Sequence, residues 1–304
     1  RADPAGPDVR VTLFDGDVPV FTSVIAAGGR RVTTAPQEAS LIGSWNIIVP
    51  GALVKPGLGV LAEVDPDDAF DEDNEEDNVY PASGTPLRAD VRALPPFRVR
   101  FVPVHQVPSG ATGNVHTGNI DSYLNDARAL HPFAAIEADV RAPYSFLRNV
   151  SAGYDASWTT LLAELYALRI AEGSDRYYYG VVQPTYSFGG TGIGYIGAPA
   201  AVGVDWTGYR ASTAAHEWGH NFNRLHAPCG GPANPDPRFP HPNARIGAYG
   251  YDPRSDRLLS PSGFADLMSY CSPEWVSDYT FRGVIDWVAA TDAPATAFSA
   301  TQPV

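Results

Sequence analysis

Residues 216–226, HEWGHNFNRLH, constrain the local fold more than any other stretch of the chain. His216 and His220 stand four apart, so on a helix both imidazoles leave one face and can share a metal ion. Glu217 follows the first of them, where its carboxylate can reach a water at the ion without taking a coordination position. A third nitrogen must come from elsewhere, which leaves a fourth tetrahedral position open. His226 lies six residues past His220, too far round a continued helix to converge. The chain must therefore break and turn back near residue 223. Asn223 stands at that break, and after glycine asparagine is the residue best tolerated in the left-handed conformation that ends a helix abruptly. Phe222 and Leu225 flank the turn and are expected to pack inward. Upstream, DWTGYRASTAA supplies helix formers and few breakers.

A chain of 304 residues accommodates one or two domains. Residues 1–94 read as β structure: the apolar runs VRVTLF, VPVFTSVI, SWNIIVP and LGVLAEV recur between Gly, Pro and Asp clusters at sandwich-like spacing. The stretch LVKPGLGVLAEVDPDDAFDEDNEEDNVYP resembles the last strands of bacterial Ig-like adhesion modules, which implies a small Ig-like β-sandwich. ADVRALPP (89–96) reads as a linker, with a second domain over 95–304.

From Phe97 strands and helices alternate. FRVRFVPV (97–104), AAIEADV (134–140) and RYYYGVVQP (176–184) read as strands. NIDSYLNDARALH (119–131) reads as a helix capped by Asn119 or Asp121, and DASWTTLLAELYALRIAE (155–172) as one stopped by Gly173. The glycine-rich SFGGTGIGYIGAPAAVGVD lacks the Gly-Lys-Ser/Thr ending of a phosphate loop and does not open a helix directly after a strand. Its small residues instead suit an edge strand that approaches another backbone closely.

HEWGHNFNRLH resembles the elongated zinc motif of the metzincin peptidases, with Asn223 in place of a glycine, and DLMSYC (266–271) resembles their Met-turn. Met268 is the chain's single methionine. The resemblance implies an α+β catalytic domain with a mixed twisted sheet, an active-site helix and a Met-turn. It implies one catalytic Zn2+ on His216, His220 and His226, with Met268 as an apolar floor beneath it. Glu217 is then the general base toward a zinc-activated water, and Tyr270 an oxyanion stabiliser; the alternative for Tyr270 is plain packing. Residues after the Met-turn would wall a substrate pocket, Trp275 and Tyr279 among them. The contexts HAPC and MSYC look closest to reprolysin-like bacterial secreted enzymes. Cys229 follows His226 by three residues and Cys271 follows Met268 by three. If the resemblance brings those segments together, the two cysteines form a disulfide, contributing about 3–4 kcal/mol on the chain-entropy model; otherwise they are two buried thiols. A disulfide places the protein outside the cytosol, secreted.

A net charge of −13 argues against nucleic acid as a partner. No run of about 18 apolar residues offers a membrane span. The acidic run Asp65–Asp77 reads as a solvated loop, with Ca2+ the lesser alternative; Asp236 and Asp252 are further Ca2+ candidates. His105, His116, His131 and His241 read as ordinary histidines, and the abundant Tyr and Trp as packing rather than a carbohydrate face. The expectation is a monomeric secreted zinc endopeptidase acting on a protein or glycoprotein. The alternative is an adhesion protein with an inactive or partner-dependent peptidase fold.

Overall fold

The computed structural model describes residues 5–32, 35 and 37–291. The chain divides into two compact units, Arg1–Ala93 and Leu94–Val304.

In the first unit, β1 (Val9–Asp15) and β2 (Val18–Ile25) form a hairpin, and β3 (Leu58–Val64) lies on the other side of β1. The short β4 (Val79–Tyr80) and β5 (Leu87–Arg88) both pair with β3, and every pairing is antiparallel. Among the described residues these five strands make one sheet, where a sandwich needs two. The expected strand SWNIIVP joins no ladder. Asn46 ties its amide to the carbonyls of Leu41 and Ser44, a local alternative to strand pairing, and Pro50 has no N–H to offer. Irregular chain covers the apolar face instead: Ile47, Val49 and Leu53 pack over Val11, Leu13 and Leu58. Asp65 opens the acidic run with a left-handed backbone (φ 49°), and its carboxylate accepts the N–H groups of Ala69 and Phe70.

The second unit is built on β6 (Phe97–Gln106), which ends in a hairpin with β7 (Ala111–Thr112). Then come α1 (Asp121–Leu130), β8 (Ile136–Val140), β9 (Tyr144–Phe146), α2 (Ala156–Ala171) and β10 (Tyr177–Val182). They are followed by β11 (Gly192–Gly194), β12 (Ala200–Val204) and α3 (Arg210–Asn221). The sheet runs β11-β12-β10-β6, with β8 and β9 on successive halves of β6. β10 is parallel to β6 and β12, whereas β11 is the antiparallel edge.

Strand alternation divides the core into two faces. Phe97, Val99, Phe101, Tyr179, Val181 and Ala201 face α1 and α3, where Tyr123, Leu124, Trp218 and Phe222 are buried. Val102, Val104, Tyr178, Val182, Val202 and Val204 face α2 and its Trp158, Leu161, Leu162 and Leu165. The Asp155 carboxylate caps α2 through the Ser157 N–H at 2.8 Å. Neither candidate cap serves α1: Asn119 Oδ1 accepts the His116 N–H, and the helix starts without a side-chain cap.

Beyond α3 regular structure is sparse. β13 (Gly250–Asp252) pairs with β14 (Arg257–Leu259), β15 (Ala265–Asp266) with β16 (Glu274–Trp275), and α4 (Asp278–Thr291) closes the described chain. No helix among the described residues is long and apolar enough to cross a membrane.

Candidate metal centre

The turn after α3 sets the geometry. Asn223 is left-handed at φ 63°, its N–H bonds His220 O at 2.8 Å, and the Arg224 N–H bonds Gly219 O at 3.0 Å. These two bonds are the pair that closes a helix with a left-handed residue just past its cap. The reversed chain brings His226 back beneath the helix, so that His216, His220 and His226 present ligand nitrogens within 4.8 Å of one another. Asn221, fully buried, pins the helix end to the sheet by donating to the carbonyls of Tyr195 and Ala200.

Each imidazole is oriented from behind by a backbone carbonyl. Nδ1 of His216 donates to Leu267 O (2.7 Å), that of His220 to Arg224 O (2.7 Å), and that of His226 to Ala233 O (2.9 Å). A carbonyl only accepts, so each Nδ1 carries the proton and each Nε2 presents a bare lone pair. Nε2 of His220 and Nε2 of His226 lie 3.2 Å apart, two lone pairs facing one another. Burial holds all three rings below the usual histidine pKa, His216 at about 4. They are therefore neutral ligands near pH 7, and the donor set fits a cation.

Glu217 points into the same space. It is buried, its Oε2 has no hydrogen-bond partner, and desolvation pushes its carboxyl well above the usual range. The edge strand makes room for it: a Cβ on Gly192 would lie 2.6 Å from its Oε1. The close backbone approach expected of the glycine-rich segment is two residues on, where a Cβ on Gly194 would lie 2.9 Å from Glu217 O.

The floor is held by Asp266, whose carboxylate accepts the N–H groups of Met268 and Ser277, both at 2.8 Å. Met268 is fully buried with its sulfur against Gly219, where a Cβ would come within 2.2 Å. Backbone bonds join this turn to the segment after His226: Ala227 N–H to Met268 O, and Tyr270 N–H to Cys229 O. A disulfide between Cys229 and Cys271 closes the same junction. The Tyr270 hydroxyl lies 3.1 Å from His226 Nε2; burial, with Tyr154 and Glu217 nearby, pushes it up to about 12.

A cleft of about 640 Å3 opens over the three imidazoles, bordered by Tyr154, Gly192, Tyr209, Thr213, Tyr270 and Glu274. Trp275 and Tyr279, the expected pocket walls, do not line it. Trp275 is buried against Gly250 beneath Arg254, and the Tyr279 hydroxyl donates to Asp236 at 2.7 Å, with Phe239 beside its ring. Neighbours on a strand point to opposite sides, and on β16 it is Glu274 that belongs to the cleft. Sequence reasoning also missed Tyr154, whose hydroxyl accepts the Thr191 N–H at 3.1 Å. It comes from a loop far along the chain, with no motif to mark it.

Protein donors occupy the Ca2+ candidates: Asp236 takes the Arg238 N–H and the Tyr279 hydroxyl, and Asp252 pairs with Arg254. Among the described residues the three histidines are the one group of three or more His, Cys, Asp or Glu side chains gathered closely enough to share an ion.

No family model and no curated protein matches this sequence. Among solved structures, the chain is similar to metalloproteinase-II from Bacteroides fragilis. That match has 14% identity and a TM-score of 0.38, covering 65% of this chain and 55% of that one. A chaperone–substrate complex is similar at 16% identity and a TM-score of 0.35, over 66% of this chain and 34% of that one. The chain thus spans about half and about a third of the lengths it matches.

Proposed function

We propose that the chain is a secreted zinc-dependent endopeptidase, with Glu217 as the proton-transferring base. One observation carries the reading: three proton-free Nε2 atoms converge, each fixed from behind by a carbonyl, beside a buried carboxylate that has no other partner. Three imidazoles with an open fourth position suit zinc in a catalytic rather than a structural role. Held there, Zn2+ supplies Lewis acidity, which acidifies water and polarises a peptide carbonyl.

The chain's own residues supply the rest. Glu217 takes the proton of the attacking water and returns it to the leaving amine; its raised pKa suits a group that must accept and then donate. The Tyr270 hydroxyl remains protonated near pH 7 and faces the cleft, so it can donate to the oxyanion of the tetrahedral intermediate. Tyr154, whose oxygen already accepts a backbone N–H, has its own proton free to orient substrate. The metzincin resemblance of HEWGHNFNRLH and DLMSYC, reprolysin-like in its cysteine contexts, agrees with these roles, and the disulfide suits an extracellular setting. A glycoprotein substrate, and an Ig-like binding role for residues 1–94, extend the reading.

The test is cleavage of casein and of an O-glycosylated mucin by the wild-type chain and by Glu217→Gln, each with and without a zinc chelator. Wild type cleaves and chelation stops it. Glu217→Gln retains one zinc per chain by elemental analysis and loses about 10²- to 10⁴-fold in rate. Full activity in that variant would overturn the assignment. A variant and wild type equally inert with zinc bound would favour the adhesion alternative.

A further inference from the structure

Among the described residues, the cleft carries one charged lining residue besides Glu217, namely Glu274, and no Lys or Arg lines it. Glu274 is half-buried on the two-residue strand β16, which is anchored by parallel pairing to β15 and by the inward-facing Trp275. Among the described residues no hydrogen-bond donor and no cation reaches its carboxylate. The charged groups that face it are Asp126 and Asp266, both carboxylates. Asp126 is already paired with Arg254 at 2.8 Å, and Asp266 is bound by the N–H groups of Met268 and Ser277. Desolvation and these two neighbours push Glu274 up to about 7. A half-buried carboxylate without a partner costs stability, and a charge brought by a ligand is what offsets that cost.

We propose that Glu274 selects the substrate, receiving a cationic side chain, arginine or lysine, that flanks the cleaved bond. The inference rests on the peptidase reading, because it takes the cleft to be where the peptide lies. Ser272, Ser212 and Thr213 also border the cleft, so its lining is polar enough for a guanidinium or ammonium group. Glu274 is a specificity residue here; it takes no part in moving protons at the reacting bond.

Two measurements on the zinc-loaded full chain at pH 8 separate this proposal from the reading beneath it. In the first, a peptide library is digested by wild type and by the isosteric Glu274→Gln, and the cut sites are mapped by mass spectrometry. Wild type enriches Arg or Lys at one position beside the cut. The ratio of kcat/KM for an Arg peptide to that for its Leu counterpart falls at least about tenfold in the variant. In the second, benzamidine binding is measured by calorimetry, which needs no turnover; wild type binds and Glu274→Gln does not. Cleavage without basic enrichment, or enrichment that survives in the variant, overturns the proposal. No cleavage but Glu274-dependent benzamidine binding overturns the peptidase reading and leaves the cation site standing. Neither cleavage nor binding removes both.

Discussion

At the scale of single residues, the candidate metal centre depends on the absence of side chains as much as on their presence. Gly219 sits between the candidate ligands His216 and His220, and the sulfur of Met268 fills the place a methyl would take. Replacing Gly219 with alanine sets a Cβ 2.2 Å from that sulfur, in a site where Met268 is fully buried. Overpacking of this kind costs about 1–3 kcal/mol. The strain falls between two of the proposed zinc ligands, so on that reading zinc affinity should drop together with stability. Thermal unfolding and competition against a chromogenic chelator measure the two; an alanine variant with unchanged stability and affinity would show that the floor is not tightly packed. Gly192 has the corresponding role toward Glu217. Its significance was not legible in the sequence, because a glycine in a glycine-rich stretch does not reveal which carboxylate will lie over it.

At the scale of elements, the decisive one is the end of α3. The helix stops because Asn223 adopts φ 63°, and that stop supplies the Arg224 carbonyl that orients His220 as well as the reversal that delivers His226. Asn223→Ala forces a Cβ-bearing residue without local hydrogen-bonding capacity into the left-handed region, at about 1–2 kcal/mol. Asn223→Gly should be neutral or slightly stabilising. Chemical denaturation of the two variants checks the sign, and equal loss in both would mean that the asparagine side chain matters for some other reason. This element could be read from HEWGHNFNRLH because helical periodicity and the distance to His226 leave few ways to bring three nitrogens together. β6 and β10 were legible because their long apolar runs are buried on both faces. The layer covering the first sheet was not. Ile47 and Val49 are apolar and spaced as in a strand, but the side-chain bonds of Asn46 draw the chain into irregular structure. Trp275 and Glu274 show a further limit. A strand of two residues is too short to display the alternation that decides which of them faces the cleft.

At the scale of the whole molecule, acid stability bears the mark of a histidine outside the metal site. His131 is buried beside Phe133 and Phe222, donates from Nε2 to Ala215 O at 2.8 Å, and leaves Nδ1 without a partner. Desolvation lowers its pKa to about 4, whereas a histidine in the unfolded chain protonates near 6.5. Between those values the unfolded state binds more protons, so the stability present above pH 6.5 is lost as the pH falls through 4, by about 3 kcal/mol from this residue. His131→Gln keeps a donor for Ala215 O and removes the titration. Urea unfolding at pH 7, 5.5 and 4 should show a shallower acid decline in the variant; parallel declines would contradict the linkage. If the proposed peptidase reading holds, the bond between Cys229 and Cys271 has a consequence on the same scale for a chain exposed to self-cleavage. It encloses the irregular stretch between them, including the exposed turn at Arg254–Asp256. A single cut there would sever the backbone but not the molecule: the segment bearing His226 and the one bearing Met268 and Tyr270 would stay joined. Self-inflicted nicks in that loop would therefore leave one covalent particle with its metal cradle still joined.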